Sequence, residues 1–258
     1  MTPPPFQTLP RTRPAVGYTA GGPVPVARLR LLCFHHAGGA ASAFHGWQDV
    51  LGADVAVLPV QLPGREQRVR EPRHRDAEAL LADLDENLAP LLEGEHVFYG
   101  HSMGAHLAHA LVRRRVAAGL PAPRALIVGG ARAPHLPQPL VEARTASDDD
   151  LARLLVRLGG VSTELLRYPD WLRAATSLLR DDLAVCSGFP DPAAEPLPVP
   201  IHVFTGAADP LVRADQAAAW DRHTREECRV HVMPGGHFFP AESRSAFLTR
   251  VSSILSRL

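Results

Sequence analysis

The 258-residue chain contains no lysine, few cysteines and no excess of charge of either sign. All 27 basic residues are arginine, and 27 acidic residues bring the formal net charge to zero. Nucleic acids and anionic membranes select proteins with a strong basic excess. We therefore expect neither a nucleic acid nor a membrane as the main partner of this protein.

Long apolar runs and paired cysteines are missing as well. No apolar stretch approaches the roughly 18 residues that predict a membrane-spanning helix. Cys33, Cys186 and Cys228 are odd in number and far apart, which fits neither a disulfide framework nor a metal-binding spacing. Residues 1–14 are rich in proline and have no apolar signal core. A reducing cytoplasm is the expected location.

Most of the chain alternates between strand-like and helix-like segments. Residues 1–25 are rich in proline and glycine and are expected to form a flexible N-terminal arm before one domain, residues 26–258. Apolar runs predict strands at residues 28–34, 54–60, 95–99, 124–128, 201–205 and 229–233. Helical patterns occupy residues 42–51, 76–92, 105–118, 214–223 and 242–258. This alternation predicts an α/β fold with a mainly parallel sheet and helices on both faces.

Residues 134–200 interrupt this alternation with helical patterns alone. These patterns cover residues 148–158, 163–168 and 171–186, with Ser147 as the N-cap of the first and Gly159-Gly160 as its stop. About 65 residues of helix between two strands predict a helical lid over the strand ends. The alternative is a group of additional packing helices.

The most informative motif is Gly100-His101-Ser102-Met103-Gly104, which has the pattern G-x-S-x-G between a predicted strand and a predicted helix. A serine on such a turn has a strained backbone and an exposed hydroxyl. The glycines are needed because side chains there would collide with the neighbouring strand and helix. The helix N-terminus also presents N–H groups to a developing oxyanion. The motif predicts Ser102 as a nucleophile.

A serine nucleophile requires a histidine base that is oriented by a carboxylate. In this architecture the three residues follow in the order Ser, Asp or Glu, His. His237 follows a predicted strand on the Pro234-Gly235-Gly236 turn, and Asp209 follows the preceding strand. We therefore predict a Ser102–Asp209–His237 triad. The alternatives are a surface loop for His237 and a simple turn residue before Pro210 for Asp209.

Other candidates are explained without catalysis. Asp181 and Asp182 have the right order in the chain but lie on the helical insertion, where a solvated helix face explains them. His106 and His109 share a helix side without a set of carboxylates, and no H-E-x-x-H sequence occurs, so no metal is expected. His101 is expected to pack beneath the serine turn.

The oxyanion hole requires two backbone N–H donors. The residue after the nucleophile, Met103, is one predicted donor. The second comes from the loop after an early strand, which here is His35-His36-Ala37-Gly38-Gly39. We predict Ala37 as the second donor.

Together these motifs resemble those of the type II thioesterases, stand-alone α/β hydrolases that accompany modular polyketide and nonribosomal peptide synthases. The resemblance rests on the segments Phe34-His35-His36-Ala37-Gly38-Gly39, Gln61-Leu62-Pro63-Gly64-Arg65-Glu66, Gly100-His101-Ser102-Met103-Gly104-Ala105, Leu158-Gly159-Gly160 and Pro234-Gly235-Gly236-His237-Phe238-Phe239. It implies an α/β-hydrolase fold with a mobile lid, the same triad and the same two oxyanion donors. It also implies hydrolysis of acyl thioesters on the phosphopantetheine arm of acyl or peptidyl carrier proteins, with no cofactor of its own. A monomer is expected.

The chain departs from the family at His35, where the family usually has proline, which would stiffen the loop. A general carboxylesterase or lipase, an acyltransferase and a non-catalytic synthase-binding partner are the alternative functions. The only tight basic cluster, Arg113-Arg114-Arg115, could meet an acidic carrier protein, although a solvated helix face also explains it.

Overall fold

The computed structural model describes Thr19, residues 27–189 and residues 195–258. The predicted N-terminal arm, residues 1–25, therefore lies outside the described residues except for Thr19. That residue forms an isolated antiparallel bridge with Val60. In the described part of the chain, no helix is both long and apolar enough to cross a membrane.

Six strands form one parallel sheet in the order β2-β1-β3-β4-β5-β6. The strands are β1 (Leu29–Phe34), β2 (Val55–Pro59), β3 (His96–His101), β4 (Leu126–Gly129), β5 (Ile201–Gly206) and β6 (Cys228–Met233). Their residues are apolar because parallel strands are buried on both faces by crossover helices. Each predicted strand is present, and the parallel α/β fold is confirmed.

The helices cover both faces of this sheet. They are α1 (Trp47–Leu51), α2 (Ala77–Leu88), α3 (Met103–Ala117), α4 (Asp148–Arg157), α5 (Pro169–Cys186), α6 (Ala214–Ala218), α7 (Phe239–Glu242) and α8 (Arg244–Leu255). Alternate residues of one strand belong to different cores, because side chains of a strand point to opposite faces. Leu32 and Phe34 pack in the core beneath α2 and α3. Leu31 and Cys33 pack in the core beneath α1 and α8, where Cys33 is fully buried.

Several predicted helices are shorter than their sequence patterns suggest. The pattern at 42–51 is divided at Gly46, which has a left-handed φ of 71° and precedes α1. The pattern at 76–92 ends as α-helix at Leu88. A 3₁₀ turn begins at Ala89, and Pro90 within it cannot donate an α-helical hydrogen bond. The spacing of apolar residues along the sequence does not reveal these local interruptions.

The helical insertion (residues 134–200) contains α4 and α5. The Ser147 hydroxyl accepts a hydrogen bond from the Asp150 N–H at 3.1 Å, which confirms the predicted N-cap. Gly159 follows α4 with a left-handed φ of 80°, as a helix stop requires. In the described part of this segment, the only strand-like pairing is a single bridge between Leu197 and Thr224.

The basic cluster on α3 is not a fully solvated face. Arg115 is buried and donates a hydrogen bond to Asp85 on α2 at 2.8 Å. Arg114 forms ion pairs with Glu78 and Asp85. The solvated-face interpretation is therefore wrong for Arg115, whose charge joins two helices.

Candidate active site

Ser102 occupies a sharp turn between β3 and α3. Its backbone has φ 55° and ψ −113°, a combination that non-glycine residues rarely adopt. The surrounding structure maintains this strain, in part because the Ser102 N–H donates to the Gly129 carbonyl at 2.7 Å. Such strain costs on the order of 1–3 kcal/mol and is concentrated at functional sites. The serine turn predicted from the motif is therefore present.

The two motif glycines are required by close backbone contacts. A Cβ atom on Gly100 would lie 2.1 Å from the Gly104 carbonyl oxygen. A Cβ atom on Gly104 would lie 2.1 Å from the Phe34 carbonyl oxygen, at the end of the neighbouring strand. Both contacts are with backbone atoms, which cannot rotate away as a flexible side chain could. The turn can form only if both positions lack a side chain.

Replacing Gly104 with alanine should lower the free energy of unfolding by about 3 kcal/mol, the upper range for overpacking. The control is Gly119→Ala, because Gly119 has φ 68° but no atom within 4 Å of the added Cβ. That control should lose only the left-handed penalty of about 1 kcal/mol. Urea unfolding measures both values, and equal losses in the two variants would contradict the packing argument.

His237 and Asp209 form a buried pair beside this turn. The His237 Nδ1 lies 2.9 Å from Asp209 Oδ2, and the Asp209 side chain is fully covered. The other carboxylate oxygen, Oδ1, accepts the Leu211 N–H at 2.8 Å. With Nδ1–H donated to the carboxylate, the Nε2 atom of His237 is left to accept a proton.

Close packing of two loops brings the pair together. Gly206 ends β5, and a Cβ atom there would lie 2.1 Å from the Gly236 carbonyl oxygen in the loop after β6. Parallel strands end at the same edge of the sheet, so the loops that carry Asp209 and His237 meet there. Asp209 combines both sequence interpretations, since it closes a turn and also pairs with His237.

A cavity of about 50 Å³ lies next to Ser102 and is lined by other predicted site residues. Ser102, His237, Ala37 and Met103 all contribute to its wall. The rest of the wall is largely apolar and includes Leu140, Val141, Leu183, Cys186, Leu211 and Val212. Several of these belong to the helical insertion, which therefore covers the serine.

Two backbone segments at this cavity can present N–H groups. Met103 is the first residue of α3, so its N–H has no acceptor within the helix. Ala37 lies in a turn that is closed by the Gly39 N–H donating to the His36 carbonyl at 3.0 Å. Gly38 has φ 76°, which gives this turn the type II form.

Besides Asp209, two uncharged histidines lie near His237, namely His36 and His101. Burial is the main cause that lowers the pKa of His36 to about 4 and the pKa of His101 well below its usual value. The His101 ring lies 5.3 Å from the His237 ring and beneath the serine turn, as expected. At neutral pH both neighbouring rings are therefore neutral.

The chain matches a known protein family over most of its length. A family model described as "Thioesterase domain" matches residues 29–257. The chain belongs to the thioesterase family.

Solved structures of other thioesterases resemble this one closely. RedJ, a thioesterase from the prodiginine biosynthetic pathway of Streptomyces coelicolor, is 35% identical and has a TM-score of 0.83, with 91% of this chain and 94% of RedJ covered. BorB, a type II thioesterase from the borrelidin biosynthetic cluster, is 32% identical and has a TM-score of 0.78, with 94% and 95% covered. The resemblance to type II thioesterases and the α/β-hydrolase fold are thereby confirmed.

One relative is named as a dehydrogenase rather than as a thioesterase. Linear gramicidin dehydrogenase LgrE of Brevibacillus parabrevis is 33% identical over 233 residues, covering 89% of this chain and 88% of LgrE. The present thioesterase sequence contains no G-x-G-x-x-G segment, the pattern that marks a dinucleotide-binding turn. The end of β3 instead carries the serine turn.

Two acidic residues of this thioesterase were misinterpreted from the sequence. Asp181 and Asp182 are both buried, so the interpretation as a solvated helix face is wrong. Asp182 pairs with Arg65 at 2.8 Å, and Asp181 lies 3.1 Å from Arg73 and 2.6 Å from Arg75. The Gly64-Arg65-Glu66 motif was the available signal, because a buried arginine requires a carboxylate partner.

His35 replaces the usual proline of the family without leaving the loop loose. It is 1% exposed, and its Nδ1 lies 2.9 Å from the His36 carbonyl oxygen. Burial and the nearby Arg65 charge hold the pKa of His35 well below its usual value, so the ring is neutral. A neutral ring donates Nδ1–H to that carbonyl and supplies by hydrogen bonding part of the restraint that a proline ring would supply.

The part of the chain that the structure describes contains no group of three or more His, Cys, Asp or Glu residues arranged to hold a metal ion. The two histidines of α3, His106 and His109, are buried among aromatic rings instead. His106 stacks near Trp220 with ring centroids 6.0 Å apart, and His109 meets the same ring edge-on at 5.4 Å.

Proposed function

We propose that this thioesterase uses Ser102 to hydrolyse acyl thioesters on the phosphopantetheine arm of a carrier protein, as an editing step in polyketide or nonribosomal peptide biosynthesis. The observation that carries the proposal is the Asp209–His237 pair, which lies at the covered, largely apolar cavity of Ser102. Family membership and the likeness to RedJ and BorB support the thioester substrate.

The first half-reaction transfers the acyl group to the enzyme. His237 Nε2 takes the hydroxyl proton of Ser102 as Oγ bonds to the thioester carbonyl carbon. The carbonyl oxygen becomes an oxyanion, which the N–H groups of Ala37 and Met103 stabilise. The carbon–sulfur bond then breaks, and the departing thiol takes the proton from His237.

The second half-reaction releases the acid. His237 takes a proton from water, whose oxygen attacks the acyl carbonyl carbon, and the ester bond to Ser102 breaks. Ser102 recovers its proton from His237. Asp209 accepts the Nδ1–H of His237 and stabilises the imidazolium that forms in both half-reactions.

The covering segment and the partner complete the proposal. Residues 134–200 act as a lid, and the phosphopantetheine arm enters beneath it with the acyl chain against the apolar wall. The arm belongs to the carrier protein, so the thioesterase needs no cofactor of its own. A single chain supplies every residue of the mechanism, which supports action as a monomer, and three unpaired cysteines support a reducing, cytoplasmic setting.

A comparison of substrates tests this function. With one acyl group presented on a carrier protein, on coenzyme A and as a simple oxygen ester, kcat/KM should be at least about 10-fold higher for the carrier, because remote binding energy contributes to transition-state stabilisation. Mass spectrometry of the released acid measures each rate. An equal or better oxygen ester would favour a general carboxylesterase, and diversion of product by added alcohols or amines would favour an acyltransferase.

A further inference from the structure

The strongest polar contact between the helical insertion and the catalytic loops is made by Asp182. Its Oδ2 accepts the Gly38 N–H at 2.7 Å and one Arg65 nitrogen at 2.8 Å, while Oδ1 accepts the other Arg65 nitrogen at 2.8 Å. The same arginine donates to the Gly39 carbonyl at 3.2 Å. Asp182 is 2% exposed and Arg65 is 6% exposed. Helix α5 thus places a buried charge against the turn that contains Ala37.

The Gly38 N–H belongs to the central peptide of that turn. A type II turn and a type I turn differ mainly in the direction of this peptide, which reverses between them. A carboxylate only accepts hydrogen bonds, so it holds the peptide with its N–H toward Asp182. The reversed peptide would place the Ala37 carbonyl oxygen against a negative charge.

Arg65 also helps to hold the segment that follows this turn. Its backbone carbonyl accepts the Gln61 amide at 3.1 Å, and the Gln61 side-chain oxygen accepts the Ala41 N–H at 3.3 Å. The loop after β2 is therefore bonded to Gly39 through Arg65 and to Ala41 through Gln61. Arg65 and Asp182 are joined by two parallel hydrogen bonds, and such a bidentate pair has a defined planar geometry. The position of Arg65 therefore also restrains the carboxylate of Asp182.

We propose that Asp182 is a positioning residue for the oxyanion hole, because it anchors the Ala37–Gly38 peptide and thereby keeps in place the turn on which the Ala37 N–H, part of the preceding His36–Ala37 peptide, lies beside Ser102. Asp182 touches no reacting atom, and its effect passes through the turn. The inference rests on the proposed roles of Ser102 and Ala37.

The neighbouring carboxylate provides a matched control. Asp181 is also buried on α5 and forms ion pairs with Arg73 and Arg75, but these partners lie outside the turn. An asparagine at position 182 could accept the Gly38 N–H or donate to a reversed Ala37 carbonyl, so it no longer selects one direction of the peptide. Asp182→Asn should therefore lower kcat by about 30-fold with KM changed less than about 3-fold, since a full oxyanion donor accounts for roughly 10²–10³ in kcat. Asp181→Asn should change kcat by less than about 2-fold, although both variants lower the melting temperature.

A second variant separates positioning from stability. Replacing the pair with apolar residues, Arg65→Met together with Asp182→Leu, should recover much of the melting temperature, as buried ion pairs often allow. It still lacks an acceptor for the Gly38 N–H, so kcat should remain low. This double variant also decides the question if Asp182→Asn does not fold.

The possible outcomes distinguish the inference from the function on which it rests. Recovery of kcat together with the melting temperature, or equal kcat in the Asp181 and Asp182 variants, would overturn the positioning role. Full activity of Ser102→Ala in the same assay would instead overturn the proposed function. The pH profile of kcat should have the same shape in Asp182→Asn as in the parent, because Asp182 bonds to the Gly38 N–H and Arg65 rather than to His237 or Asp209.

Discussion

Replacing Ser102 with alanine should lower kcat for hydrolysis of an acyl carrier protein by about 10⁶-fold, the typical effect of removing a serine nucleophile. Alanine has the same backbone preferences near φ 55° and removes only the hydroxyl, so the variant should fold with nearly unchanged stability. Without Oγ no acyl-enzyme can form. The oxyanion donors and substrate binding leave a residual rate above that in water.

Mass spectrometry of a loaded carrier protein measures this effect directly. Ser256→Ala is a suitable control, because its exposed hydroxyl only donates to the Ser253 carbonyl at the end of α8. A Ser102 variant that hydrolyses the thioester as fast as the parent would show that the serine mechanism is wrong. If parent and variant both bind the carrier without hydrolysis, the alternative of a non-catalytic synthase-binding partner gains support.

The serine turn and its partners could be predicted because short segments encode them. The glycines at 100 and 104 are required by contacts within a few residues of the strand end or with the adjacent strand. Asp209 and His237 follow strands whose apolar character identifies them, and parallel strands place their C-terminal loops at one edge. Local pattern and sheet topology together were therefore sufficient to place these residues, while their catalytic roles stay predictions.

Asp182 could not be predicted in the same way, because its partner is distant in the chain. Arg65 is separated from Asp182 by 117 positions, and helical periodicity indicates only that a charged residue prefers solvent. A charge is buried when a specific opposite charge and further donors compensate its desolvation, and only the tertiary structure shows that match. The buried Arg115 was misinterpreted for the same reason, since its partner Asp85 lies on another helix.

The helical pattern predicts a covering segment at residues 134–200 but does not predict how it is attached. In the structure, the pair formed by Asp182 and Arg65 ties the second half of α5 to the hydrolase core. An opening that moved all of α5 would break this buried pair and leave Arg65 without its carboxylate, which is strongly destabilising. The N-terminal part of α5, where Tyr168 and Trp171 are exposed, carries no such constraint from Asp182.

Asp209→Asn should lower kcat by about 10⁴-fold, because the amide favours the wrong tautomer of His237. The Leu211 N–H donates to Asp209 Oδ1 at 2.8 Å, so the single oxygen of an asparagine is held by this backbone donor. The NH₂ group then faces His237 Nδ1 and donates to it. The ring proton consequently resides on Nε2, which can no longer accept the proton of Ser102.

Rapid-mixing measurement of the acyl-enzyme tests this prediction, because the loss should occur in acylation while the carrier protein still binds with a similar KM. Asp215→Asn is the matched control, since Asp215 is an exposed aspartate paired with Arg213 near the start of α6 and should leave kcat unchanged. A loss below about 10-fold in Asp209→Asn would mean that the imidazole keeps its orientation without a carboxylate. In that case packing against its ring neighbours, His101 and Phe238, would have to hold the imidazole of His237 in place.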